Sequence, residues 1–150
     1  MKGFSIIRIL FIASTLAFAP VSFPCHGQTS GHNMSVNVPF AFEMGDQHFA
    51  PGVYTINTPA SGVIELNNNH SAAGMILARD EQGYKPSTTA KVVFDRYGEH
   101  YFLRQVWFNA EQSSYLECSE SKSEKQAKRL ELASNSKKPS NVELAMLRIP

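Results

Sequence analysis

From Ser35 onward, apolar and polar positions alternate. Val36, Val38, Phe40 and Phe42 fall on one face and Asn37, Pro39, Ala41 and Glu43 on the other, the period of two that marks a half-buried strand. Pro39 cannot donate to a ladder, so it predicts an edge position or a bulge. Gly45-Asp46 and Ala50-Pro51-Gly52 are turn sequences, with Gln47 to Phe49 a short return between them and Val53 to Ile56 the strand that follows. The chain turns again over Pro59 to Gly62. Val63 to Leu66 and Ala73 to Ala78 read as two further strands around a polar loop, Asn67 to His70. Asp80 to Thr88, holding Gly83 and Pro86, reads as a longer loop. Short strands with turns every eight to twelve residues or so predict a sandwich or a barrel.

The clearest local pattern runs from Lys91 to Phe108. Gly98 opens a two-residue loop of the kind that closes a tight hairpin. That loop pairs Tyr97 with His100, Arg96 with Tyr101, Asp95 with Phe102 and Phe94 with Leu103. One face then carries Val92, Phe94, Arg96, Tyr101 and Leu103, and the other Val93, Asp95, Tyr97, Phe102 and Arg104. Both faces are partly apolar, so the hairpin is expected at the centre of the sheet and covered on both sides. Beyond Asn109 the chain turns polar. Ser121 followed by Glu124 is a capping box and predicts a helix over residues 122–133. Its apolar stripe of Ala127, Leu130 and Ala133 is too thin to nucleate a core alone. After a linker from Asn135 to Ser140, Val142, Leu144 and Met146 alternate with Glu143, Ala145 and Leu147, which predicts a closing strand over about 142–148. The expected fold is mainly β, an antiparallel β-sandwich or small β-barrel with one C-terminal helix and a closing strand. It forms one domain over residues 35–150, behind a flexible lead-in at 28–34.

Composition narrows the picture. A chain of 150 residues, 43% hydrophobic and 18% charged, fits one domain that can bury a core without metal or disulfide. A formal net charge of +1 lacks the basic balance of a nucleic-acid binder. The N-terminus has its own order: Lys2 and Arg8, an apolar run from Ile6 to Ala19, then small and polar residues from Pro20 to Gln28. This is the order of a secretory signal peptide. The apolar run reaches about 21 Å as a helix against about 30 Å of hydrocarbon, and Pro20 and Pro24 stop it there. The processed chain is therefore expected to carry no membrane span and to be exported, periplasmic or extracellular. Small residues at Cys25 and Gly27 place cleavage between Gly27 and Gln28. The alternatives are an uncleaved signal anchor, or a lipidated Cys25, whose neighbours Pro24, Phe23 and Ser22 match a lipoprotein signal poorly. Cleavage leaves 12 basic against 13 acidic residues and Cys118 as the one thiol. Glu117, Ser119 and Glu120 around Cys118 oppose thiolate formation, so it reads as a chance or partly buried cysteine rather than a catalytic one.

The sequence holds no H-E-x-x-H pair, no G-x-S-x-G elbow, no Walker loop and no G-x-G-x-x-G. No metal site and no cofactor are implied. Asn69-His70-Ser71 places a nucleophile beside a histidine but supplies no orienting third group. It also matches a glycosylation sequon, as does Asn33-Met34-Ser35. The densest polar set is Asp95, Arg96, Glu99, His100 and Arg104 on the hairpin. It reads either as a patch for an anionic ligand, with Asp95 and His100 as an acid–base pair, or as cross-strand ion pairing that protects strand edges. Tyr97, Tyr101, Trp107 and Phe108 read either as a sugar or lipid pocket or as interlayer packing. The candidate binding residues are thus Asp95, Arg96, His100, Tyr101, Arg104 and Trp107. The basic residues of the helix, Lys122, Lys125, Lys128 and Arg129, are diluted by Glu120, Glu124 and Glu131 and read as a solvated face.

Val36-Asn37-Val38-Pro39-Phe40-Ala41-Phe42, Gly52-Val53-Tyr54, Phe94-Asp95-Arg96-Tyr97-Gly98, Tyr101-Phe102-Leu103 and Gln105-Val106-Trp107 together resemble a group of small exported proteins abundant in Acidobacteria. The likeness spans about Val36 to Ile149. Two places depart from the group's pattern: Ala41 stands where an acidic residue is usual, and Ala50-Pro51-Gly52 where Pro-Ala-Gly is usual. The resemblance implies export and a β body followed by a Ser/Glu-started helix, and it lends no activity or site residue. The expectation is a non-enzymatic envelope protein with a binding or structural role and a protein or small ligand as partner. Two alternatives stand beside it. One is a lipocalin-like carrier with an apolar cavity lined by residues such as Phe94, Leu103 and Met75. The other is a small hydrolase or lyase using Asp95, His100 and Arg104.

Overall fold

The alternating segment after Ser35 folds as two strands. In the computed structural model, which describes residues 33–68, 71–109, 112–134 and 140–149, β1 (Met34–Val38) ends just before Pro39, where the missing N–H stops the ladder. The chain resumes as β2 (Phe42–Met44), which forms a tight hairpin with β3 (Gln47–Phe49). β2 also runs parallel to a later strand through Glu43 and Phe102, the one departure among the described pairings from the antiparallel expectation. β4 (Gly52–Asn57), β5 (Val63–Asn68) and β6 (Ser71–Gln82) follow as a meander. β6 continues four residues past Ala78 into the stretch expected to be loop. Its continuation pairs with β9 (Ser114–Cys118), from Ala78 opposite Cys118 to Gln82 opposite Ser114. The polar stretch after Asn109 thus holds a strand that its composition concealed.

β7 (Lys91–Tyr97) and β8 (His100–Trp107) form the expected hairpin. Gly98 takes φ +62° at the turn, a conformation that costs glycine little, and the pairs from Tyr97–His100 to Phe94–Leu103 are as the pattern dictates. Beyond them the register shifts, so Val93 faces Gln105 and Arg104 is the extra residue of a β-bulge. The helix, α1 (Lys122–Ala133), begins at Ser121, whose side chain accepts from the Glu124 N–H. The closing segment alternates as expected but divides in two, β10 (Ser140–Ala145) on β7 and β11 (Leu147–Arg148) on β1. Met146 stands between them, 6% exposed, with its N–H donating to the Ala90 carbonyl.

The ladder runs β10-β7-β8-β9-β6-β5-β4-β1-β11. β6 serves both halves, its first part on β5 and its last on β9, and this corner strand lets the halves pack face to face. The sheet does not close into a barrel, because its two ends are successive pieces of one segment rather than a hydrogen-bonded pair. Between the halves, Val36, Val38, Tyr54, Ile56, Ile64 and Leu66 meet Val92, Phe94, Leu103, Val106, Leu116 and Cys118. The β2–β3 hairpin inserts its apolar face into the same core. The Phe42 ring lies 5.3 Å from Tyr54 and 5.2 Å from Phe94, with Phe49 at 5.1 Å. Phe49 and Met44 press so closely on β6 that a Cβ at Gly74 would collide with the Phe49 ring. Phe94 and Leu103 are buried in this packing whereas Met75 is 59% exposed, so the three line no common cavity. On the other face of the β7–β8 hairpin, Val93, Tyr97, Phe102 and Trp107 are also buried, which makes the hairpin covered on both sides.

Candidate functional site

The six residues singled out on the hairpin go to different places. Arg104, displaced by the bulge, is re-aimed across the outer face, where it stands as β8 changes neighbour from β2 to β9. Its Nη1 donates to the Cys118 carbonyl at 3.0 Å, its Nη2 lies 3.1 Å from Glu117 and its Nε 3.8 Å from Asp95. Arg96 and Tyr101 are on the inner-facing side at the turn. The guanidinium sits 5.3 Å over the Tyr101 ring and bonds Gly98 and Glu99, and Tyr101 stacks on Phe40 at 4.0 Å. Trp107, at the far end, donates to Gln105 and stacks on Tyr115 at 4.5 Å. His100 faces Glu43, with Nδ1 3.9 Å from Oε1. Asp95 is thus held by Arg104, while His100 stands beside a different acid, Glu43. The Cys25, Gly27, Gln28, Asn69 and His70 readings lie outside the described residues.

A different set assembles around Glu43. In β2 the residues Phe42 and Met44 face the core, which sends Glu43 to the outer side, where the first turn of α1 covers it. Ser123 Oγ donates to Glu43 Oε2 at 2.7 Å and Ser121 Oγ lies 2.8 Å from Ser123 Oγ. Glu43 is left only 8% exposed. Its Oε1 stands 3.7 Å from His48 and 3.9 Å from His100, beyond hydrogen-bond distance from either. Beside Ser123, the helix and the hairpin bound a groove of about 630 Å³ lined by Glu43, with Tyr97, Phe102, Ala127 and Leu130 on its walls. Leu130, part of the thin apolar stripe of α1, is 64% exposed at the side of this groove.

Beneath the first turns of the helix lies a charged layer of Asp95, Glu117, Glu120 and Glu124 with Arg104 and Lys128. Burial pushes the Asp95 carboxyl above its ordinary range, against the pull of Arg104. Burial does the same to Glu124, whose Oε1 has no hydrogen-bond partner. Tyr97, adjoining this layer, is raised to about 12 by burial and by Asp95. Lys128, 2.8 Å from Glu120, holds that carboxyl below its ordinary range. Burial raises the Cys118 thiol to about 12, so it is not a nucleophile at neutral pH.

Chemically, the Glu43 arrangement orients a carboxylate. No imidazole stands between Ser123 and Glu43, as it does in an acyl-transfer triad. Among the described residues no group of three or more His, Cys, Asp or Glu is placed to hold a metal ion, and no helix is long and apolar enough to cross a membrane. Compared with known protein families, curated proteins and solved structures, the chain has no match. Glu43, Ser123 and Phe102 escaped sequence reasoning as site residues, since a charge on the polar side of an alternating strand has the pattern of a solvent-facing one. Leu130, an apolar residue on a thin helical stripe, was the available signal.

Proposed function

We propose that this chain is an exported protein of the bacterial envelope that acts by binding rather than catalysis, through the groove between α1 and the β7–β8 hairpin. The groove carries this reading: it has small-ligand dimensions, walls that are mostly apolar, and a few polar groups, Glu43, His100 and Glu131 among them, the usual make-up of a ligand pocket. Export rests on the order of residues 1–27 and on the resemblance to exported acidobacterial proteins. The test is the mass of the protein taken from its own envelope fraction. A denatured mass beginning at Gln28 and a native mass exceeding the chain by a small ligand support the proposal, provided Ala127→Trp, which fills the groove, removes the extra mass. An uncut chain in the cytoplasm overturns export. Native protein that binds no ligand and no apolar probe overturns the groove.

A further inference from the structure

Resting on that reading, we infer that the groove takes a small amphiphile with a cationic nitrogen, and that Glu43 receives the nitrogen. The argument begins with what Glu43 lacks. It is 8% exposed, and one of its oxygens is occupied by Ser123. Among the described residues no lysine or arginine pairs with it; its charged-group neighbours are the two exposed imidazoles at 3.7 and 3.9 Å. Oε1 therefore has lone pairs free in a groove whose other ionisable carboxyl is Glu131 and whose lining includes one imidazole, His100, and no lysine or arginine.

Three classes of small ligand can be weighed against this charge pattern. An anionic head would meet Glu43 and Glu131 with only the exposed His100 imidazole on the walls to offset them. A neutral apolar ligand would displace water from Oε1 and leave a buried acceptor unsatisfied, which is costly. An ammonium supplies the donor and the charge together, and charge-assisted hydrogen bonds are the stronger kind. The aromatic residues Tyr97 and Phe102 also line the groove. The groove is within the usual volume of small-molecule sites, which favours a free amine over a protein segment.

The experiment compares decylammonium, decanol and decyl sulfate by calorimetric titration of the folded full chain below their micellar concentrations. Decylammonium is expected to bind at least about tenfold more tightly than decanol, about 1.4 kcal/mol, with decyl sulfate weakest. Glu43→Gln keeps an acceptor for Ser123 and should remove the difference between amine and alcohol. Glu43→Asp, which keeps the charge but withdraws it, should reduce the difference, so the result does not hang on the folding of one variant. Equal binding of all three compounds, or a preference unchanged in both variants, overturns the cationic ligand and leaves the groove. Binding of none of them by the native protein overturns both.

Discussion

Glu124 satisfies two demands that pull against each other. Its backbone N–H completes the cap on Ser121 and a backbone hydrogen bond from Ser121 returns to its carboxylate, while its side chain is buried with Oε1 unpaired. Because burial raises the folded pKa of Glu124 and of Asp95, the folded protein binds protons that the unfolded chain releases. Stability from these two groups therefore increases as pH falls through their folded pKa values. Glu120 has the opposite sign: the stability from its lowered pKa is present above the unfolded value and is lost as pH falls through the folded one. Thermal unfolding from about pH 8 to pH 3 should show the melting temperature rising first and falling at more acid pH. Glu124→Gln removes the buried charge, so it is expected to raise stability at pH 7 by about 1 kcal/mol and to flatten the initial rise. Lower stability across the whole range would show that the carboxylate, rather than its charge, is what α1 needs.

At the scale of elements, helix and hairpin were legible because each is set by a few residues next to one another in sequence. Ser121 and Glu124 mark where α1 starts, and Gly98 sets the register of four cross-strand pairs. The bulge at Arg104 was not legible, since one inserted residue leaves no periodic trace. β9 was hidden because only Leu116 and Cys118 face inward, between acidic and polar neighbours. The site was less legible than the fold. Glu43 is buried by a helix eighty residues later in the chain, and no local pattern carries that information. Ser121→Ala should destabilise the protein by about 1 kcal/mol and weaken ligand binding in the groove, because Ser121 supports the first turn that presents Ser123. Denaturant unfolding and titration with decylammonium measure the two effects. Gly74→Ala tests the inserted β2–β3 hairpin: displacement of Phe49 should cost about 1 to 3 kcal/mol, whereas an alanine substitution on an exposed strand face should be near neutral.

Across the whole molecule, the two halves share β6, share the inserted hairpin and share the segment around Met146. Residues from both halves form one buried cluster that includes Met146, so neither half has a core of its own. Unfolding should therefore be a single transition. The near-ultraviolet signal of Trp107, in one half, should coincide with the far-ultraviolet signal of all strands. Met146→Ala should lower the common midpoint by removing about 2 to 5 kcal/mol without separating the two signals. Two resolved transitions would show that the halves are independent.

The divided closing segment has a consequence for the order of assembly. Among the described residues β10 and β11 follow the nine other strands, and they pair with the outer edges of β7 and β1. Until that segment emerges, the nascent chain displays two uncapped strands at once, each open to pairing with a neighbouring molecule. One short stretch of late sequence then replaces both with shorter edges, β10 on β7 and β11 on β1. Slowing synthesis just before it, or stalling the chain there, should produce edge-to-edge aggregates, while the same stretch supplied in trans as a peptide should rescue the stalled species.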